Sequence, residues 1–504
     1  MASVQPLAGA RCGLTRWVVP GAPLEEGRGW RLWYSQPGRD PFRPTDPTVT
    51  RSGQPEGTAA TWELFDPPAG VDFDRRMGLL TVTLDNPLPG AFYELAVPDV
   101  DPPGPLALRS LPAGVGDGVS FLFTSCFWMP NDKEGAYAAG VRDLGRLYQP
   151  AFKLLIGDQV YQDYPVNWEL PKSSFSLYAE RYEQYWRDPA YQEVLRATPN
   201  FFIADDHEFW NDFPERQVHL PRTYTREGRE GLREAATALY ERYQQWANPG
   251  RAAHYSFGIG SPGGAVPPVS FFLADARSQR SDFASPHPHF FVDEQWKALE
   301  AWAAGLQGPG VLVLGQPLYQ RDGDWKDHSL SNFAEDYGRL CAVFERAFLG
   351  KAGDQTGSSV GGQPHDILIL TGDIHSCRYC VGTIAGLPGT ADVHELVASP
   401  ASRVGPYVRD AVPQQPPTKF TARYGDNPPL TWNVVMPPVE GIPSVDNNVG
   451  SVRMSPGTNG RVRFEMTLWR IRPYDARSVA SRMLRRGQPQ GRLAPLLQRE
   501  IELR

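Results

Sequence analysis

Apolar and polar residues follow two regimes along the chain. Up to about Pro112 they alternate in short runs, WRLWYSQ, TWELFDP, GLLTVTLDNPLPGAFYELAVPD and LALRSLPAG, broken by Asn-Pro and Pro-Gly turns. Period-two alternation between turn signals predicts half-buried antiparallel strands, so residues 1–115 are expected to form a small β-sandwich. No titratable cluster falls in it, which suits a packing or access role. From Gly118 the runs become continuously apolar, as in VSFLFTSC, FKLLIGD, NFFIADD, VSFFLADAR, GVLVLGQ and DILILTGDIH, and they alternate with helical stretches. Such runs suit strands covered on both faces by helices. Residues 116–504 are therefore expected to form one α/β catalytic domain with a C-terminal extension.

Helix signals sharpen this layout. In VDEQWKALEAWAAGL, Asp293 is the expected N-cap, and Trp296, Leu299, Trp302 and Leu306 fall near helical spacing. A second helix, TREGREGLREAATALYERYQQW, should end before Asn248-Pro249. SLYAERYEQYWRDPAYQEVLRATP reads as two short helices broken near Pro189. Residues 351–365 are Gly/Ser-rich and read as a surface loop. The Arg-rich end reads as a solvated terminal segment, docked as a helix or loose. The Pro- and Asn-rich region after about residue 410 is expected to wall a pocket.

Composition narrows the class. The 504 residues carry a formal charge of −7, so the basic excess of a nucleic-acid-tracking surface is missing. With 49 Gly and 49 Pro the chain is loop-rich, as in enzymes whose loops build a site on a sheet scaffold. No apolar run reaches membrane-spanning length. The N-terminus lacks a charged-then-apolar export pattern, which implies a cytoplasmic chain, or a secreted or periplasmic one if it is processed. Five cysteines without framework spacing do not indicate a disulfide scaffold.

The chemistry collects at strand ends. Cys126 follows FLFTS, Asp158 sits in LLIGDQVY, Asp205 and Asp206 follow FFIA, and Asp373 and His375 close LILTGDIH. In open α/β sheets, ligands bind outside the carboxyl ends of the strands. Charges driven against buried strands are costly unless paired or coordinated, and four such endings together indicate a metal site. Carboxylates suit hard cations, His suits borderline transition metals, and thiolate a softer or redox-capable ion. Tyr161, three residues after Asp158, adds a possible phenolate. Phenolate plus thiolate favours Fe3+, and the surplus carboxylates suit Ca2+; Zn2+ or Mn2+ fits the ligand types as well.

These pieces, FTSC, GDQVYQD, ADDHEFWND, LADARSQR, VLVLGQPLYQ and TGDIHS, occur in the order found in the alkaline phosphatase D (PhoD-like) family of calcineurin-like metallophosphoesterases, which the chain resembles to about residue 410. The resemblance implies an α/β fold, a calcineurin-like β-sandwich flanked by helices, behind an Ig/fibronectin-like N-terminal all-β domain. It implies Cys126, Asp158 and Tyr161 as iron ligands, Asp206, Asp373 and His375 as further metal ligands, and His207 at the phosphate or leaving group. Asn211, Asp205 and Gln316 are supporting candidates. Arg277 or Arg280 would either grip phosphate oxygens or orient the acidic cluster through a salt bridge.

The implied reaction is alkaline phosphatase or phosphodiesterase chemistry on a small-molecule, lipid or polymer ester, with a metal-bound hydroxide attacking phosphorus in line. Asp206, His207 and Arg277 form the catalytic set. The alternatives are a phospholipase D-like phosphodiesterase, a non-catalytic calcium-stabilised binding protein, and a redox protein using Cys377 and Cys380. The last requires an accessible thiol of low pKa. Oligomeric state is left open.

Overall fold

The computed structural model describes residues 16–38, 45–65, 75–132, 135–163, 173–261, 263–320, 329–349, 364–386, 391–402, 414–440, 442–471 and 493–504. Most of the Gly/Ser-rich stretch at 351–365 lies outside them.

The N-terminal alternation becomes two four-stranded antiparallel sheets. One runs Trp17–Pro23, Gly29–Pro37, Arg75–Leu84, Thr58–Phe65; the other runs Gln54–Pro55, Thr48–Arg51, Phe92–Ala96, Leu106–Arg109. Trp30, Leu32, Leu80 and Val82 from the first meet Val49, Tyr93, Leu95 and Leu108 from the second. The expected half-burial fails for Gly29–Pro37, where only Arg31 is not buried. Its other face is covered too: Trp33 stacks on Tyr243 at 5.4 Å, and Trp17, Val19 and Leu79 join a helical layer.

Two larger sheets carry the site. The six-stranded one runs Asn200–Ile203, Phe152–Ile156, Val119–Thr124, Asn448–Pro456, Val462–Ile471, Leu493–Leu503, with its first three strands parallel. The eight-stranded one has Val269–Leu273, Gly310–Val313, Ile367–Thr371 and Val393–Val397 as its parallel centre. The sheets face each other across an aromatic core, in which Phe201 stacks on Phe257 at 4.4 Å and Phe271 meets Phe121 and Phe152 edge-on. Helices Ala136–Tyr148, Ser174–Arg187, Pro189–Arg196 and Arg226–Tyr243 cover the outer face of the six-stranded sheet. Asp293–Ala304 and Ala334–Leu349 cover that of the eight-stranded sheet. Four layers result, and strands buried on both faces explain the unbroken apolar runs. Among the described residues no helix is long and apolar enough to cross a membrane.

The helix ends mostly follow their signals. Thr225 Oγ1 accepts the Gly228 N–H at 3.0 Å, and Asp188 caps the helix begun by Pro189 through the Tyr191 N–H at 2.8 Å. Asp293 differs. It is the first helical residue, with Val292 at the cap position and no side-chain cap bond. The preceding Phe290 and Phe291 are buried with their N–H groups on Asp336, so the chain enters the helix from an apolar anchor. Asp293 then contributes its charge within the first turn, where the helix dipole favours it.

The chain after residue 410 supplies framework rather than a pocket wall alone. Lys419–Ala422 and Leu430–Val435 extend the eight-stranded sheet, and the last three described strands complete the six-stranded one. The chain end, expected as a docked helix or a loose segment, is the edge strand Leu493–Leu503, with Arg463 reaching Glu500 and Glu502. Cross-strand charge pairs of this kind suit a solvated sheet edge.

Candidate metal centre

Parallel strands from both large sheets deliver the candidate ligands to one edge. Cys126, Asp158, Asp205, Asp206, Asp373 and His375 each lie just beyond a strand's C-terminal end. Four of them stand in left-handed backbone conformations, with φ of 58° at Cys126, 55° at Asp158, 64° at Asp373 and 48° at His375. Such conformations are strained for non-glycine residues and persist where surrounding structure over-determines them. Two glycines let the turns nest. A Cβ on Gly157 would stand 2.3 Å from Asp205 Cβ, and one on Gly372 would stand 2.3 Å from Ser125 Oγ.

Three overlapping groups of donor atoms, each group spanning no more than 4.8 Å, could hold metal ions: Cys126, Asp158 and His375; Asp158, Asp206 and His207; and Asp158, Asp205, Asp206 and Asp373. Asp158 belongs to all three. The Cys126 thiol lies 3.3 Å from Asp158 Oδ2 and receives Ser399 Oγ at 3.2 Å. Tyr161 Oη is 3.2 Å from His375 Nε2, and its ring stacks on His207 at 4.0 Å. Asp206 Oδ2 accepts the Asp212 N–H at 2.6 Å, whereas Asp206 Oδ1 is buried without a hydrogen-bond partner.

The electrostatics suit a cation-binding centre. Burial, followed by the charge of Asp206, pushes the Asp158 carboxyl well above its usual range. Burial, then Asp158 and Asp373, does the same to the Cys126 thiol, and burial with Cys126 and Asp158 raises the Tyr161 hydroxyl. Packed acids of one sign resist ionisation until a cation joins them, and a bound cation inverts that preference. The donor set, with its orphaned Asp206 oxygen, fits a metal.

Several surrounding residues were not singled out in the sequence. Asp163 accepts from His207 Nδ1 at 2.7 Å, from His219 Nε2 at 2.9 Å and from the Asn211 N–H at 3.0 Å. Glu208 accepts the N–H groups of Asp158 and Asp205 at 2.8 and 2.9 Å and that of Gln159 at 2.7 Å. Burial pushes its carboxyl up to about 7 against those bonds. Both acids stand inside the quoted motifs GDQVYQD and DDHE, so the motifs held the signal and only their division of roles was missing.

The remaining candidates fall around this centre. Arg277 is 1 % exposed and donates from Nε to Asp205 Oδ1 at 2.6 Å. Arg280 bonds Gln316 Oε1, and Gln316 Nε2 reaches Asp373 Oδ2 at 3.2 Å. Asn211 is tied by its backbone to Asp163. Trp210, beside Asn211, is buried with its Nε1–H on the Glu215 carbonyl. Cys377 and Cys380 are fully buried, one in the core between the large sheets and one beneath the outer helices. Burial pushes both thiols up to about 12, the opposite of a redox pair.

The four-layer fold and this cluster define a mixed α/β protein with a buried metal-competent centre. Residues 121–316, less than half of the chain, match the family model described as PhoD-like phosphatase, a match that supports phosphoester hydrolysis in general. Asp373 and His375 lie beyond the matched span. No curated protein matches the chain. Among solved structures it is similar to one described as "Structure of PhoD", at 15 % identity and TM-score 0.54, covering 90 % of this chain and 89 % of that one, a likeness of fold. Another, "GAP50 the anchor in the inner membrane complex of Plasmodium", has 11 % identity over 69 % of this chain and 84 % of that one, with a TM-score of 0.32.

Proposed function

We propose that the chain is a metal-dependent phosphoesterase whose centre comprises Cys126, Asp158, Tyr161, Asp206, Asp373 and His375. The observation that carries this reading is the convergence of three donor groups on Asp158 beside a buried, unpartnered Asp206 oxygen. Cys126, Asp158, Tyr161 and His375 would hold Fe3+, since thiolate and phenolate suit it, and Asp158, Asp205, Asp206 and Asp373 would hold Ca2+. Asn211 is a further candidate ligand, and Zn2+ or Mn2+ are the alternatives by ligand type. A metal ion bound there lowers the pKa of water and neutralises phosphoryl oxygens.

The chain's own residues do the rest. With Nδ1 committed to Asp163, His207 would serve a phosphate oxygen or the departing alkoxide through Nε2. Of the two roles open to Arg277, its bond to Asp205 favours orienting the acidic cluster over gripping phosphate. We assign residues 1–115 to a separate β-sandwich and the chain from 116 to the catalytic domain.

The test is metal analysis of purified protein, paired with hydrolysis of p-nitrophenyl and bis(p-nitrophenyl) phosphate across added calcium. We expect iron, turnover, and a visible charge-transfer band that weakens in Cys126→Ser or Tyr161→Phe. A colourless zinc-only sample would remove the iron assignment. Metal-replete protein inert on both esters would overturn the hydrolase reading in favour of structural metals, and the ratio of the two rates sets mono- against diester preference.

A further inference from the structure

A cavity of about 530 Å3 opens away from the metal-centre residues, between the N-terminal sandwich and the helices Ala136–Tyr148 and Pro189–Arg196. Four arginines line it, Arg109, Arg142, Arg146 and Arg196, against the single acid Glu193. Glu193 is already paired with Arg142 at 2.8 Å, and Arg146 stands 4.0 Å from Asp143. Arg109 and Arg196 differ from these rim pairs. Both are half-buried, burial lowers the pKa of each, and neither has an ion-pair partner among the described residues.

Their contacts are to backbone carbonyls across the junction. Arg109 bonds Gly90 O within the sandwich at 2.9 Å and reaches across to Gln149 O at 3.3 Å. Arg196 reaches back from its helix to Val18 O at 3.4 Å and Pro102 O at 3.2 Å. These bonds fix the direction of each guanidinium; Asp117 acts on Arg109 and Asp101 on Arg196 without forming an ion pair, so burial still outweighs them, and a partly desolvated charge gains from an opposite one placed against it. The rest of the lining is largely apolar, with Phe92 48 % exposed beneath Arg109 at 5.5 Å, and Leu106 and Pro189 beside it. Volumes of this size between packed units are typical of small-molecule sites.

We propose that this cavity is a second binding site, separate from the metal centre, for a small organic anion. Its oxyanion head pairs with Arg109 and Arg196, a geometry that guanidinium groups favour, and its apolar body rests on the exposed Phe92 and Pro189. The test is isothermal titration of the full chain with 2-naphthoate and 2-naphthalenesulfonate, with neutral 2-naphthamide as control. Arg109→Gln and Arg196→Gln should each weaken both anions at least tenfold. Ala107→Trp, on an exposed strand position lining the cavity, should block binding while leaving p-nitrophenyl phosphate hydrolysis and the circular dichroism spectrum unchanged. Wild-type affinity in Ala107→Trp or in both arginine variants, amide binding equal to that of the anions, or no anion binding at all would overturn the proposal.

Discussion

Asp163 Oδ1 lies 2.7 Å from His207 Nδ1, and the same carboxylate holds His219 on its other oxygen. Burial alone would push the Asp163 carboxyl up, but the two imidazoles outweigh it and hold the group well below the usual carboxylate range. The His207 ring answers in kind. Burial would lower its pKa, yet Asp163, Asp206 and Asp158 keep it well above the ordinary histidine value. A charged carboxylate that fixes the Nδ1 proton also fixes which nitrogen faces the reaction. Asp163→Asn keeps the shape and removes the charge. We expect kcat to fall by roughly 100-fold or more, the scale of positioned acid–base catalysis, with metal content unchanged by elemental analysis. Unaltered kcat would show that the orientation of His207 is unimportant.

Arg277 and Asp205 form an ion pair with both side chains almost wholly buried. Removing one partner from such a pair leaves an uncompensated charge and costs roughly 3–5 kcal/mol. Arg277→Ala should lose stability of that order in chelator-treated protein, measured by urea unfolding. Restored metal should recover part of it, because a cation can neutralise Asp205.

Gly157 stands at φ 73°, where a Cβ would come 2.8 Å from the Asp205 backbone nitrogen and closer still to its Cβ. Both the left-handed backbone and the contact penalise a side chain there. Gly157→Ala should separate Asp158 from Asp205 and reduce bound metal per chain. A variant with full metal occupancy would show that the two turns tolerate being spread.

Far from the centre, His394 is buried beneath Tyr379 Oη at 2.8 Å, and burial lowers its pKa to about 4 against a weaker opposing pull from Asp366. Between about pH 6.5 and 4 the unfolded chain takes up a proton at this site that the folded one refuses, so stability falls as pH drops through that window. The fall from 6.5 to about 4 corresponds to about 3 kcal/mol. His394→Gln should flatten the unfolding free energy across that window by a comparable amount, read from denaturation at stepped pH.

Much of this was written locally. The apolar runs at 119–124, 152–156, 200–203, 269–273, 310–313 and 367–371 are strands because each is buried on both faces, and a doubly covered strand has no polar side to show in sequence. The break at Pro189 and the cap at Thr225 follow from backbone chemistry within four residues. The strands after residue 410 went unassigned although Lys419–Ala422 pairs with Leu430–Val435, and Val462–Ile471 with both its chain neighbours; they join the rest of the fold through Arg378–Ile384 and Val119–Thr124, far away in the chain.

The sequence alone therefore determined which residues could bind a metal, since carboxylate, thiol, phenol and imidazole are properties of single side chains, and where along the chain strands end in them. Only the tertiary structure decided that Asp158 falls in three donor groups at once, that Asp163 bonds His207 Nδ1, and that Arg277 pairs with Asp205. The His207–Asp163 and Arg277–Asp205 pairs join residues 44 and 72 apart, the Asp158 groups also draw in Asp373 and His375 from much farther along the chain, and all exist because two facing sheets bring their strand ends to one edge.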